Sequence, residues 1–185
     1  MRIALFGGSF DPPHLGHLMV ANVVEQQKIA NEVWFVPCAN HAFSKSMSPA
    51  KNRLDMLKLL SNKKHPIYTY ELEKTTPSYS LETLKHAVQK FPQHSFVWLI
   101  GSDQVGVFHK WHRYKELLKK FTVLVYPREH HPVDVLLPGM QAVKDCPIIS
   151  VSSTEVRNTV HNHQPIEKFV TKEIAEYIEE NRLYV

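Results

Sequence analysis

Ile3-Ala4-Leu5-Phe6-Gly7-Gly8-Ser9-Phe10-Asp11-Pro12-Pro13-His14-Leu15-Gly16-His17 is the stretch that decides how this chain is read. A strand-sized apolar run passes into two glycines, which let the backbone bend tightly and come close to a bound group. Pro12 and Pro13 stiffen the crossing to the next element, and Pro12 moves Asp11 away from helical angles. His14 and His17 then stand three apart where a helical pattern begins, so they face the same way. A helix N-terminus carries exposed N–H groups and partial positive charge, which suits phosphate. A capped turn with two structural histidines would show the same residues. The stretch has neither the G-x-G-x-x-G of dinucleotide folds nor the G-K-[ST] ending of a P-loop. A Walker-type ATPase and a hydride-transferring dehydrogenase both lose ground.

Working outward, Leu18, Ala21 and Val24 predict a helix from about Leu15 to Lys28. Glu32–Pro37 reads as a second strand, β-branched and aromatic and ended by proline. Pro49 suits the first turn of a helix whose apolar face is Met56, Leu57 and Leu60. Ile67–Leu72 reads as a third strand, and Leu81, Leu84 and Val88 as the stripe of the next helix. Phe96–Ile100 is a continuous apolar run, as in a strand buried on both faces. Tyr114, Leu117, Leu118 and Phe121 mark another helix, Thr122–Tyr126 a strand and Ile148–Val151 the last strand candidate. Ser152-Ser153-Thr154-Glu155 forms an S-x-x-E capping box, and Ile174, Tyr177 and Ile178 give a closing helix. The expectation is one α/β domain over 1–185, a Rossmann-like, doubly wound and mainly parallel sheet with closing helices from about 153.

The 185 residues suffice for one substantial core, and 43% hydrophobic with 22% charged is ordinary globular composition. No apolar run approaches a membrane span and no signal-peptide pattern opens the sequence, so the expectation is a cytoplasmic protein with no membrane partner. Cys38 and Cys146 lack metal or disulfide spacing. The net charge of +4 comes without a basic patch interleaved with aromatics, which argues against nucleic acid. His130-His131 and the His161/His163 pair read as surface residues or metal ligands; sequence does not separate the two, nor does it read oligomeric state.

Of six glycines, Gly7, Gly8, Gly16, Gly101 and Gly106 fall in two strand-exit loops, where backbone approaches a ligand. In such sheets ligands bind outside the carboxyl ends of the strands. Three loops, 7–17, 101–106 and 152–157, therefore converge. The third adds hydroxyls, a second helix start and Arg157, a guanidinium suited to phosphate. Asp103 either holds a ribose hydroxyl or caps the next helix.

Gly8–His17 resembles the (T/H)-x-G-H signature of the nucleotidyltransferase superfamily, and Val151-Ser152-Ser153-Thr154-Glu155-Val156-Arg157 resembles its I-S-S-T-x-x-R signature. Between them, Pro77–Leu84, Gly101-Ser102-Asp103 and Trp111-His112-Arg113-Tyr114 are similar to segments of bacterial nicotinate mononucleotide adenylyltransferases, as is Tyr177–Tyr184. The resemblance runs through nearly the whole chain in order. It implies that the phosphate of nicotinate mononucleotide attacks the α-phosphorus of ATP directly, giving deamido-NAD and pyrophosphate. On that reading His14 and His17 donate to the phosphates, and Ser152, Ser153, Thr154 and Arg157 hold the leaving pyrophosphate. Gly7, Gly8, Ser9, Phe10, Gly16, Gly101 and Asp103 border the ATP. Mg2+ comes with the ATP phosphates and needs no dedicated protein ligands. Thr83 and Trp111 match family positions around the pyridine ring, with Tyr79 beside them. The chain departs from the family after its second strand. Cys38-Ala39-Asn40-His41-Ala42-Phe43-Ser44-Lys45 stands where a Pro-Pro-His-Lys or Pro-Pro-His-Arg segment is usual. Asn40 and Lys45 remain candidates for the mononucleotide, and the choice between nicotinate and nicotinamide forms is what this loop leaves open. The alternatives are nicotinamide mononucleotide or phosphopantetheine as acceptor, or a non-catalytic nucleotide-binding module.

Overall fold

The computed structural model describes residues 1–40 and 47–185. Five strands form one sheet: β1 (Arg2–Gly8), β2 (Glu32–Pro37), β3 (Ser95–Gly101), β4 (Val123–Tyr126) and β5 (Met140–Ala142). Their order is β2-β1-β3-β4-β5 and every pairing is parallel. Among the described residues six α-helices accompany them: α1 (Leu15–Gln26), α2 (Ala50–Leu60), α3 (Ser80–Lys90), α4 (Tyr114–Lys120), α5 (Ser153–His161) and α6 (Lys172–Glu180).

Side chains alternate across a strand, so β1 serves two cores at once. Ala4 and Phe6 join Val20, Val24, Met56, Leu57, Ile174 and Ile178 on the face carrying α1, α2 and α6. Ile3 and Leu5 join Leu81, Leu84, Ala87 and Leu117 on the face carrying α3 and α4. This double burial is why β1 and β3 read as continuous apolar runs, and it gives the expected Rossmann-like, doubly wound sheet. The chain moves one way from β1 to β2 and the other way from β1 to β3. The carboxyl ends of β1 and β3, Gly7–Gly8 and Gly101, therefore flank the switch point where such sheets open a crevice.

Four expectations are corrected. The predicted strand Ile67–Leu72 supplies only the bridge Phe35–Ile67, and the chain then turns as a 3-10 helix over Thr69–Glu73. The inward residue there is Glu71, whose Oε1 accepts from Thr83 Oγ1 at 2.6 Å, so polar anchoring overrides a strand-like pattern. Ile148–Val151 makes a single bridge, Arg128–Ile149, and the fifth strand is instead the three-residue Met140–Ala142. Val88 is exposed, and Ala87 fills the inward position of α3. Finally, α1 stops at Gln26, because Lys28 adopts a left-handed φ of 56° that leaves the helix.

Candidate active site

The first loop leaves β1 through a gap that only glycine fits. A Cβ on Gly7 would stand 2.2 Å from Cζ2 of Trp98. His14 is the N-cap of α1, in extended conformation, and its backbone N–H donates to His17 Nδ1 at 3.1 Å. A ring nitrogen that accepts carries no proton, so neutral His17 bears its proton on Nε2 and can donate from there. The two rings lie 3.7 Å apart between centroids. Burial, then the nearby Arg128 guanidinium, bring His17 down to about 3. Burial, then His17 and Arg128, likewise hold His14 well below the ordinary histidine value. Both histidines are therefore neutral hydrogen-bond groups at neutral pH.

Arg128, which the sequence reading passed over, is the cation of this end. Its Nη1 donates to the Val151 carbonyl at 2.7 Å, and its backbone N–H donates to Ser102 Oγ at 2.8 Å. Its Nε lies 3.9 Å from Asp103 Oδ1. The signal for it was present: Pro127-Arg128 directly follows an apolar strand, at the sheet end that binds ligands.

The start of α5 is fastened to the first loop. Ser152 Oγ accepts from the Glu155 N–H at 3.1 Å, as the capping box predicts. Ser153 Oγ donates to the Pro12 carbonyl at 2.9 Å. Arg157 Nη1 donates to the Asp11 carbonyl at 2.7 Å, and Nη2 to Thr154 Oγ1 at 3.2 Å. The Asp11 side chain is itself buried; its Oδ1 accepts from the Tyr184 hydroxyl at 2.7 Å and its Oδ2 from the Ser48 N–H at 3.1 Å. Gly16 belongs to the same seam. A Cβ there would meet Val151 Cγ1 at 2.7 Å and Ile149 Cγ2 at 2.8 Å, so its missing side chain admits a neighbouring segment of the chain.

A cavity of about 530 Å³ opens at this crevice, within the range of small-molecule sites. It brings together Gly7, Gly8, Ser9, Phe10, His14 and His17 from the first loop with Gly101 and Asp103, and with Ser152, Ser153 and Thr154. Its other end is aromatic. Tyr79 stacks on His112 at 4.3 Å, and Trp111 on Phe108 at 4.7 Å. Tyr79 and Trp111 line the cavity as expected; Arg128, Glu71, Lys110 and His112 line it without having been singled out. Burial pushes the Glu71 carboxyl up. Arg157, Gly16, Asn40 and Thr83 are not on the wall. Thr83 turns to Glu71, and Asn40 Nδ2 donates to the Thr75 carbonyl at 3.2 Å. Lys45 and His41 lie outside the described residues.

His14 Nδ1, Trp98 Nε1 and Trp111 Nε1 are buried without a hydrogen-bond partner among the described residues, and all three belong to residues of this wall. Orphaned buried polar atoms are rare in folded proteins, and their gathering here suits a ligand rich in polar atoms. Among the described residues no group of three or more His, Cys, Asp or Glu is placed to hold a metal ion. The donor set at the first-loop end is N–H, hydroxyl and guanidinium, which fits phosphate oxygens, so a magnesium ion here would be held by the phosphates and not by these residues. No helix among the described residues is long and apolar enough to cross a membrane.

A family model described as Cytidylyltransferase-like matches residues 5–159. A "Probable nicotinate-nucleotide adenylyltransferase" from Bacillus licheniformis is 35% identical over 187 residues, covering 99% of this chain and 98% of the relative. The nicotinate-nucleotide adenylyltransferase of Bacillus subtilis is 33% identical over 187 residues, with the same coverage. Among solved structures, the Plasmodium falciparum nicotinic acid mononucleotide adenylyltransferase complexed with NaAD superposes with a TM-score of 0.84. At 24% identity, over 99% of this chain and 97% of that one, it establishes likeness of fold.

Proposed function

Because the chain belongs to the nicotinate-nucleotide adenylyltransferase family, we propose that it joins ATP and nicotinate mononucleotide into deamido-NAD and pyrophosphate, a step of NAD biosynthesis. One observation carries the assignment of sites. The crevice at the switch point has a phosphate-suited end, built from two helix starts and Arg128, and an aromatic end at Tyr79, Trp111 and His112. ATP lies with its triphosphate at the first end, and the pyridine ring of the acceptor lies against the second. Attack by the acceptor phosphate on the α-phosphorus breaks the α–β bond and releases pyrophosphate, so the protein's task is positioning and charge stabilisation. Mg2+ would enter with ATP, and its charge would offset that of the phosphates, with Ser152–Thr154 and Arg128 beside them.

Neutral His17 donates from Nε2 to phosphate oxygens as charge grows on them. His14 backs it with its backbone N–H and its ring. Arg128 supplies the full positive charge beside them, and Ser152–Thr154 offer hydroxyls and helix-start N–H groups to the leaving pyrophosphate. Asp103, at the exit of β3, takes the ribose hydroxyls. Arg157 serves this site through the loop it holds: its guanidinium is bonded to the Asp11 carbonyl and Thr154, which supports a role in setting the distance between the two phosphate-binding turns. Asn40, Lys45 and Thr83 remain proposed for the acceptor side, Thr83 acting through its bond to Glu71. The protein works on small molecules in the cytoplasm, with no nucleic acid as partner.

The test is turnover. Purified protein with ATP, magnesium and nicotinate mononucleotide should release pyrophosphate and accumulate deamido-NAD. A parallel assay with nicotinamide mononucleotide sets the acceptor preference. No release with either mononucleotide overturns the reading.

A further inference from the structure

Arg53 is the most deeply buried cation among the described residues, with 1% of its surface exposed, and no carboxylate lies within ion-pair distance of it among them. A buried charge is costly unless it is held by strong hydrogen bonds. Here four backbone carbonyls do this. Nη1 donates to Ser9 O and Cys38 O, both at 2.8 Å, Nε to Ser48 O at 3.0 Å, and Nη2 to Ala39 O at 3.3 Å. One side chain from α2 thus clasps the first loop and both the exit of β2 and the approach to α2.

The bond to Ser9 bears on the chemistry. The C=O and N–H of a trans peptide lie in one plane and point in opposite directions, so fixing the Ser9 carbonyl also fixes the direction of the Phe10 N–H. Ser9 and Phe10 both line the cavity. Phe10 sits at φ 48°, a left-handed conformation in which a Cβ crowds the following carbonyl. Such strain persists where the surroundings over-determine it, and it gathers at functional sites. Arg53 holds one side of this peptide, and the packing of the Phe10 ring, 4.8 Å from His17, holds the other.

We propose that Arg53 is a positioning residue for the transfer reaction: its guanidinium aims the Ser9–Phe10 peptide so that the Phe10 N–H is presented to the ATP phosphates. The assignment rests on the adenylyl-transfer reading above. A lysine cannot substitute, because a single ammonium lacks the planar fork that reaches four carbonyls at once.

Three measurements on wild type, Arg53→Lys and Arg53→Met test this. They are thermal midpoint, steady-state pyrophosphate release, and the amide resonance of Phe10 in ¹⁵N-labelled protein with and without ATP and magnesium. We expect Arg53→Lys to remain folded at assay temperature and to lose about 10-fold or more in kcat. Its KM for ATP should stay within about 3-fold, and its Phe10 amide should shift in the absence of ATP. Arg53→Met should lose more, and if it does not fold, Arg53→Lys alone decides. A kcat within 2-fold of wild type in Arg53→Lys, or a loss that only tracks the unfolded fraction, overturns the proposal. If wild type itself does not turn over, adenylyl transfer falls, and Arg53 is judged by the amide alone. A Phe10 resonance unchanged by the substitution then overturns its role.

Discussion

Acidification should unfold this protein partly through His17, and the size of the effect comes from the site. The ordinary histidine value is 6.5, and His17 in the folded chain is brought down to about 3. Between those values the unfolded chain binds a proton that the native chain refuses. Stability contributed by keeping His17 neutral is therefore present above pH 6.5 and lost as pH falls toward 3. At pH 5 the unfolded form is favoured over a span of about 1.5 pH units, and at about 1.4 kcal/mol per unit this is about 2 kcal/mol. Solvent reaches part of the ring, so about 1–2 kcal/mol is the expected loss. Buried His14 and His65, and half-buried His86, are shifted in the same direction, so the measurement must be a difference. His17→Gln supplies it. Glutamine at this third helical position can accept from the His14 N–H as a capping-box residue does, yet it does not titrate. Urea unfolding at constant ionic strength, at pH 7.5 and pH 5, should show wild type losing about 1–2 kcal/mol more than His17→Gln. Two profiles parallel to within about 0.5 kcal/mol would refute the depressed His17 value.

Individual contacts give further outcomes. His17→Ala should lower pyrophosphate release on the order of 10²–10³-fold, as loss of one preorganised donor does, and near-normal turnover would remove it from the transition state. Arg128→Met should raise the KM for ATP about 10-fold or more, because a charge-assisted phosphate contact is lost; an unchanged KM would place the phosphates elsewhere. Tyr184→Phe should cost about 1–3 kcal/mol in urea unfolding by leaving Asp11 Oδ1 short of its donor, and an unchanged midpoint would show that water replaces the hydroxyl. Gly16→Ala should destabilise by about 1–3 kcal/mol, since its Cβ would overlap Val151 and Ile149; a variant as stable as wild type would show that this seam yields.

The doubly wound sheet was legible because β1 and β3 bury both faces and their apolar runs cannot be mistaken for half-exposed strands. The converging loops were legible because glycine and helix-start chemistry are local signals. Met140–Ala142 was not, since three residues with one buried side chain carry no periodicity. Thr69–Glu73 was misread because Glu71 points inward to meet partners such as Thr83, twelve residues on. Among the site residues, Arg157 looked like a phosphate ligand from its motif, whereas its bonds go to Asp11 and Thr154. A guanidinium suits carbonyls and phosphates alike, and sequence does not record which lies nearer. Arg53 and Arg128 escaped notice for the complementary reason: both are held by backbone contacts that the tertiary fold sets.

The clasp on Asp11 also bears on how the protein is made. The residue that satisfies this buried carboxylate, Tyr184, lies 173 positions further along the chain. Translation adds roughly 5–20 residues per second, so some 10–30 s separate the synthesis of the loop from that of its hydroxyl donor. Nascent chains that have already paired β1 with β2 would hold the first loop still lacking this anchor and the α5 start. Ribosome-bound intermediates should therefore bind ATP poorly until α5 and Tyr184 have emerged.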